Sequence, residues 1–519
     1  MRRILQSATK SLMLAIGIWM LTGTMATAQS SVIVDPGANT IQAAMAANPG
    51  DTLILQKGKT YVVSSPIEIT QPTVIMGQPY TLDGADPPAV IQGAADPGTE
   101  DAFYMILAAA DLTLIDLGFI GFTYDNKQIE CVVGISEGFH NMEAHGCILQ
   151  GCRRWFETNE FPGTNWVLHD NIHFNISTTG WDNYGGMAGP MYKGDSLTNH
   201  TYNCTYFVGG RMMLTGSSGP YGWQHADHCT YVNTFGETFH KSKTDGYRVQ
   251  NSIFFNTHLR GYVGERTKMD GADTVYYWGG DYVSYRQLGD TLNGDCAVFP
   301  HVLDSVPDGT DRRFVEITNN LKYNEQRALD WNEENNVSTQ PFLAWAMRER
   351  AAEHGWTIDT NWTPDDGTDY DPQFEMGELP IGAFEASWAQ RMDRMDPSIP
   401  DHEVAWRPGG EDQSVFIWPL PFDFTPQNPD LMTAGSDGYP LGDLNWLGKD
   451  VVEAWENGWA NPVIERRGGQ ADLSLVNYPN PFYSNTQIKY NLTGNSHVIM
   501  KIYDVTGAEV ANLVNENQI

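Results

Sequence analysis

Short apolar segments recur along this chain, each introduced by a small or polar residue. In register they read Gly146-Cys147-Ile148-Leu149, Asn171-Ile172-His173-Phe174, Asn203-Cys204-Thr205-Tyr206, His228-Cys229-Thr230-Tyr231, Asn251-Ser252-Ile253-Phe254 and Asn320-Leu321-Lys322-Tyr323. Their starts are 25, 32, 25, 23 and 69 residues apart, and 69 is three times 23. Strands this short at this period cannot all be joined as hairpins, because two-residue turn signals between them are scarce. No strongly periodic helices intervene, as strand–helix–strand units would require. The pattern predicts a solenoid over about residues 32–330, each coil stacking short parallel strands on the next. Asparagine at the corners suits this, since it tolerates left-handed backbone and can bond its neighbours along a ladder. Ile148, Phe174, Tyr206, Tyr231 and Phe254 are then expected at equivalent strand positions. Cys147, Cys204 and Cys229 share one register position and read as an inward stack of buried free thiols.

The start fits the same scheme. Thr40–Ala47 has the pattern of a short amphipathic helix, Pro49-Gly50-Asp51 a turn, and Thr52–Gln56 a strand. The phrase Gly50-Asp51-Thr52-Leu53-Ile54-Leu55-Gln56-Lys57-Gly58-Lys59-Thr60-Tyr61 resembles the opening of pectate-lyase-like β-helices, in which a helix plugs the first coil. The resemblance implies an all-β fold, a right-handed parallel β-helix. It leaves the chemistry open, because this fold hosts lyases, hydrolases, esterases, epimerases and non-catalytic adhesins. Beyond about Asn324 the recurrence fades. Pro341–His354 and Glu385–Met395 read as helices among Trp/Pro/Asp-rich stretches, and 331–465 as an irregular flank or cap.

Two segments speak to location. Met1-Arg2-Arg3, the apolar run Leu12–Leu21 and Met25-Ala26-Thr27-Ala28 have the layout of a secretory signal peptide cleaved after Ala28. The apolar run is shorter than the roughly 20 residues of a membrane span. Near the other end stand Tyr478-Pro479-Asn480-Pro481-Phe482, Thr486–Leu492, Val498–Tyr503 with Asp504-Val505-Thr506-Gly507, and Glu509–Val514. These resemble the type IX secretion C-terminal sorting domain, a small Ig-like β-sandwich. The family domain continues for several strands more, so 473–519 is expected to be an incomplete copy. Its three apparent strands are Gln487–Leu492, Val498–Tyr503 and Glu509–Leu513. Together these imply a Gram-negative protein exported through the periplasm, with the type IX secretion machinery as a partner, and located outside the cell or on its surface.

Composition narrows the partners. A formal charge of −33, from 64 acidic and 31 basic residues, disfavours nucleic acid and anionic membranes. It also repels acidic polysaccharides unless a local basic groove or bound cations reverse the field. The six cysteines form no C-x-x-C pair and show no zinc spacing. Asp365–Asp371 has calcium-like acidity without an EF-hand pattern and reads as a solvated loop, which leaves calcium open as a cofactor.

The families on this fold differ in their signatures. Thr244-Asp245-Gly246 is one fragment of the pectin-hydrolase set, but no Gly-His-Gly follows, and pectin-esterase signatures are absent. Glu237-Thr238-Phe239-His240-Lys241-Ser242-Lys243, followed by Arg260, Glu265 and Arg266, resembles the chondroitinase and alginate-lyase branch. There a Lys-Ser on one coil supplies the base, and an arginine on the next lies beside it. The branch's Arg-His-Gly phrase is replaced here by Leu259-Arg260-Gly261 and Glu265-Arg266-Thr267. The resemblance implies β-elimination, with His240, Lys241, Lys243, Arg260 and Arg266 as the catalytic set. An arginine would neutralise the uronate, and a lysine of depressed pKa would remove the C5 proton. The same stretch also reads as a solvated charged face. The aromatic tract holding Trp181, Tyr184 and Tyr192, with Tyr221 and Trp223, could stack on sugar rings, or could pack on itself as a long loop. Polysaccharide is the expected partner, for a lyase-like enzyme or for a non-catalytic glycan-binding surface protein or adhesin.

Overall fold

A computed structural model describes residues 30–94, 104–129, 131–136, 140–152, 154–158, 165–176, 187–188, 198–209, 213–214, 221–234, 238–240, 244–257, 282–283, 314–334, 342, 357–358, 370–374, 412, 414–458, 475–478, 487–490, 496–503 and 509–518. It divides into one unit over 31–448 and a second formed by 1–30 and 449–519.

The first unit is a parallel β-helix. One sheet has eleven strands and a second has nine, while the third side of the solenoid is built from two four-stranded sheets. A typical coil passes through Cys131–Ile135 on the third side, Asn141–His145 in the first sheet and Ile148–Gln150 in the second. Each strand pairs in parallel with its counterparts one coil away. The helix Thr40–Ala47 stands at the first end with Ile41 buried, and a second helix, Gln326–Glu334, follows the strand Leu321–Tyr323, before Thr357–Ile358 adds the last strand of the first sheet. Among the described residues no helix is long and apolar enough to cross a membrane.

Between the first and second sheets the chain turns on one residue in left-handed conformation: Asp116, Gly146, Asp170, Asn203, His228, Asn251 and Asn319 on successive coils. Asn and Asp bear this conformation at modest cost. The next residue faces inward and forms a ladder. Asn171 Oδ1 accepts from the Cys147 amide at 2.8 Å while its Nδ2 donates to the Ala144 carbonyl at 2.8 Å. Ser252 Oγ accepts from Cys229 N at 3.1 Å, and Asn320 Oδ1 from Ser252 N at 3.1 Å. Cys147, Cys204 and Cys229 occupy this inward position and are buried free thiols.

The equivalence expected of Ile148, Phe174, Tyr206, Tyr231 and Phe254 is corrected for two members. The inward column on the second sheet runs Tyr61, Ile91, Phe119, Leu149, His173, Tyr206, Tyr231, Phe254 and Lys322. Ile148 and Phe174 point the other way and belong to the second, outer hydrophobic cluster. Phe174 is displaced because Asp170-Asn171 sets two polar residues in a row and the corner is the first of them, whereas Ile148 stands one residue before the column member Leu149. A one-residue slip turns every side chain to the opposite face. The same doubling occurs at Asn319-Asn320.

Inside, the rings stack coil on coil: His173 on Tyr206 at 4.6 Å, Tyr206 on Tyr231 at 5.0 Å, and Tyr231 on Phe254 at 4.9 Å. Parallel strands 4.7–4.9 Å apart bring equivalent rings to this spacing. The outer face of the second sheet is covered by the irregular segment 414–448. Gln150 Nε2 donates to the Val415 carbonyl at 2.8 Å, and Ile417 N to Gln150 Oε1 at 2.9 Å. Phe422 and Phe424 pack on Phe207, and Trp446 Nε1 donates to Thr205 Oγ1 at 2.7 Å. Of the helices expected after Asn324, Pro341–His354 lies outside the described residues except for Phe342, whose ring meets Phe254 edge-on at 4.9 Å. Glu385–Met395 lies outside them entirely.

The second unit holds the helix Lys449–Gly458 and two antiparallel pairs. Leu475–Tyr478 pairs with Gln487–Tyr490, and Ser496–Tyr503 with Glu509–Gln518. The third expected strand, Glu509–Leu513, therefore runs on to Gln518, and Leu475–Tyr478 adds a fourth.

Candidate functional site

The first sheet carries the polar side chains that converge. Its strands alternate, so the column Leu114, Ala144, Leu168, Thr201, Ala226, Val249, Ile317 faces the core. The residues on either side of it face outward. One outward column reads Thr113, Glu143, Val167, His200, His225, Arg248, Glu316, and the other Ile115, His145, His169, Tyr202, Asp227, Gln250, Thr318. The first coils are apolar on this face, with Ile33, Ile54 and Met76. From Glu143 onward the face holds ionisable and aromatic groups, mostly half-buried.

The rings again stack between coils. His145 lies on His169 at 4.7 Å with 10° between planes, and His169 on Tyr202 at 4.6 Å with 8°. His200 lies on His225 at 4.5 Å. His169 Nδ1 is 2.6 Å from Asp170 Oδ2, and its Nε2 is 3.7 Å from Glu143 Oε1. Arg248 Nε donates to Glu316 Oε2 at 2.7 Å.

These neighbours separate the histidines electrostatically. Burial would lower the His169 pKa, but the hydrogen bond and charge of Asp170, reinforced by Glu143, prevail and raise it to about 10. Burial, with His169 beside it, drives His145 down to about 4. Burial, helped by His169 and Arg248, takes His200 down to about 3. A cationic imidazole thus stands between neutral ones, and groups whose pKa values are pushed apart are suited to acid and base roles. Glu143, His145 and His169 also bring one ligand atom each within 4.8 Å of one another.

Further along this row lies a buried network. Asp227 Oδ2 accepts from Gln250 Nε2 at 2.8 Å and its Oδ1 from Asn251 Nδ2 at 2.9 Å. The corner residue His228 is fully buried, with Nε2 at 2.9 Å from Asp437 Oδ2.

Of the residues singled out from the sequence, Tyr221 and Trp223 lie in this sheet, His240 lies on the third side of the solenoid, and the rest fall outside the described residues. Tyr221 and Trp223 lie on the strand Tyr221–Asp227, which also carries His225 and Asp227. His240 ends the strand Phe239–His240, and the next strand, Thr244–Gln250, carries Arg248. Lys241 and Lys243 fall between those two strands, outside the described residues, as do Arg260, Arg266, Trp181, Tyr184 and Tyr192. Sequence reasoning did not single out Glu143, His145, His169, His200 or His225. A signal for most of them exists, a triplet just before the corner with polar side chains flanking one inward residue: Glu143-Ala144-His145, His200-Thr201-Tyr202, His225-Ala226-Asp227 and Arg248-Val249-Gln250; His169 lacks it, following Val167-Leu168. No family model and no curated protein matches this chain.

Proposed function

We propose that this is an exported, pectate-lyase-like right-handed β-helix that acts on acidic polysaccharide by β-elimination. The observation that carries the proposal is the outward row from Glu143 to Glu316 on the first sheet. A solenoid repeats its side chains along one axis at about 4.8 Å per coil, which suits an extended polymer better than a compact ligand. The row places His169 and Arg248 as cations on a chain of charge −33. The catalytic set remains His240, Lys241 and Lys243 with Arg260 or Arg266, the lysines standing in the chain just before the strand that holds Arg248. Trp181, Tyr184, Tyr192, Tyr221 and Trp223 would line the substrate path.

A second reading, a non-catalytic glycan-binding surface protein or adhesin, is favoured by one observation. Arg248 is already paired with Glu316, so part of the positive charge is neutralised within the face. The test is to incubate the secreted protein with a panel of uronate and neutral polysaccharides and follow absorbance of the unsaturated product. Turnover of a uronate polymer that falls more than about 100-fold in K241A or K243A supports the lyase. Retention of a glycan without product supports the adhesin, and neither turnover nor retention removes both.

A further inference from the structure

We propose that Glu143, His145 and His169 form a binding site for a divalent transition metal of the zinc class. Glu143 and His145 are two apart on one strand, which puts both on its outer face. His169 is the register partner of His145 on the next coil. One ligand atom from each lies within 4.8 Å of the others. His169 Nε2 and Glu143 Oε1 are 3.7 Å apart, too far for a hydrogen bond. That separation suits two donors on one ion with metal–ligand bonds of about 2.0–2.2 Å.

The surroundings are those of a built site. His169 Nδ1 is engaged by Asp170 at 2.6 Å, which fixes the ring and leaves Nε2 to face Glu143. Asp170 is itself held, its Oδ1 accepting from Asn445 Nδ2 at 3.0 Å. A carboxylate behind a ligating histidine is the usual device for setting tautomer and orientation. Among the described residues no hydrogen bond engages the ring of His145, which stacks on the face of His169. Two stacked rings cannot both aim a lone pair at one ion, so coordination requires His145 to turn about χ2, a soft torsion for an imidazole.

Two imidazoles and a carboxylate select zinc, copper(II) or nickel(II) over calcium or magnesium, which want six or more oxygens or hold several waters. Three protein ligands leave a fourth position open to water or to a substrate oxygen. The site shares Glu143 and His169 with the row that carries the polysaccharide reading, and the ion would displace the Nε2 proton of His169; its binding is nevertheless tested without substrate.

The experiment uses the full exported chain, stripped with EDTA and titrated with Zn²⁺ by calorimetry, with Co²⁺ absorption to report ligand geometry. One equivalent should bind, and Zn²⁺ should raise the melting temperature. E143Q, H145N and H169N should each weaken binding at least tenfold, and D170N, which acts through His169, by about 10–100-fold. H140A, on a histidine outside the triad, should bind like the parent. Melting in EDTA checks that each variant is folded, and a variant that is not is replaced by the alanine substitution at the same position. Absence of stoichiometric binding, or binding unchanged in folded E143Q and H145N, overturns the site.

Discussion

The interior stack makes a definite claim about acid. His173 lies within the solenoid with no solvent exposure, its ring 4.6 Å from Tyr206 and 6.1 Å from Trp155. Burial drives its pKa from 6.5 to about 3, a fall that the backbone at Thr205 only partly offsets. The folded-state value lies below the unfolded one, so its share of stability is intact above pH 6.5 and is lost as pH falls from 6.5 toward 3. With those two values, linkage gives a loss of about 2 kcal/mol at pH 5 and almost none at pH 8. His173→Phe keeps an aromatic ring in the stack and removes the titrating group. Any packing cost of the larger ring is common to both pH values and cancels. Guanidinium unfolding of parent and variant at pH 8 and pH 5 measures the difference. The parent should lose about 2 kcal/mol more than H173F between the two, while the other histidines contribute equally to both proteins. Equal pH dependence in the two proteins would refute the idea that this imidazole is held neutral by burial.

The segment over the second sheet gives two further expectations. His228 is held above its ordinary pKa: burial opposes this, but Asp227 and Asp437 prevail. The contribution of the His228–Asp437 pair is therefore complete below pH 6.5 and fades as pH rises through the raised value; hydrogen exchange at 435–439 should quicken with pH beyond its intrinsic rate, and D437N should abolish that extra dependence. Asp443 is buried, accepts from Thr205 Oγ1 at 2.7 Å and from Asn445 N at 2.9 Å. D443A strands those donors and should cost about 2 kcal/mol or more in urea unfolding, with new protease cuts within 414–448; unchanged stability would mean that water replaces the carboxylate.

The solenoid was legible because it depends on a local signal repeated many times. Each coil needs one residue that accepts left-handed backbone, then one small or amide side chain facing in, then an alternating strand. Asn203-Cys204-Thr205-Tyr206 and His228-Cys229-Thr230-Tyr231 display all of these in so few letters that the period stands out. Register was harder. Asp170-Asn171 and Asn319-Asn320 each offer two candidates for one corner, and only the hydrogen bonds of Asn171 and Asn320 to the coil before settle which is which. The covering segment was legible only as part of an irregular flank or cap, since it has no periodicity to say which coils it covers. Its place is fixed by scattered pairings such as Gln92 Nε2 with the Ser414 carbonyl, 322 positions away in the chain.

The candidate metal site escaped notice for a related physical reason: it is assembled across coils, and its members are ordinary within their own strands. Glu143-Ala144-His145 is unremarkable until His169, in the following coil, is placed over His145. That placement follows from the corners. His145 immediately precedes Gly146 and His169 precedes Asp170, so the left-handed residues and the inward amide ladder that lock the coils together also lock the outward column into register. Asp170 serves both ends. Its backbone makes the turn, with its amide donating to the Tyr202 carbonyl at 3.2 Å, and its carboxylate aligns His169. Asp227, which precedes the corner His228, ties coils differently, receiving Gln250 and Asn251 from the next coil. Fold and site thus share atoms, which has a consequence for mutation. Asp170→Gly, which keeps the left-handed turn, should leave the solenoid folded, with a melting temperature lowered by loss of the carboxylate's bonds to His169 and Asn445, while loosening His169 and weakening Zn²⁺ as D170N does. A large loss of stability in D170G with unaltered Zn²⁺ affinity would separate the two roles and show that the carboxylate serves the fold alone.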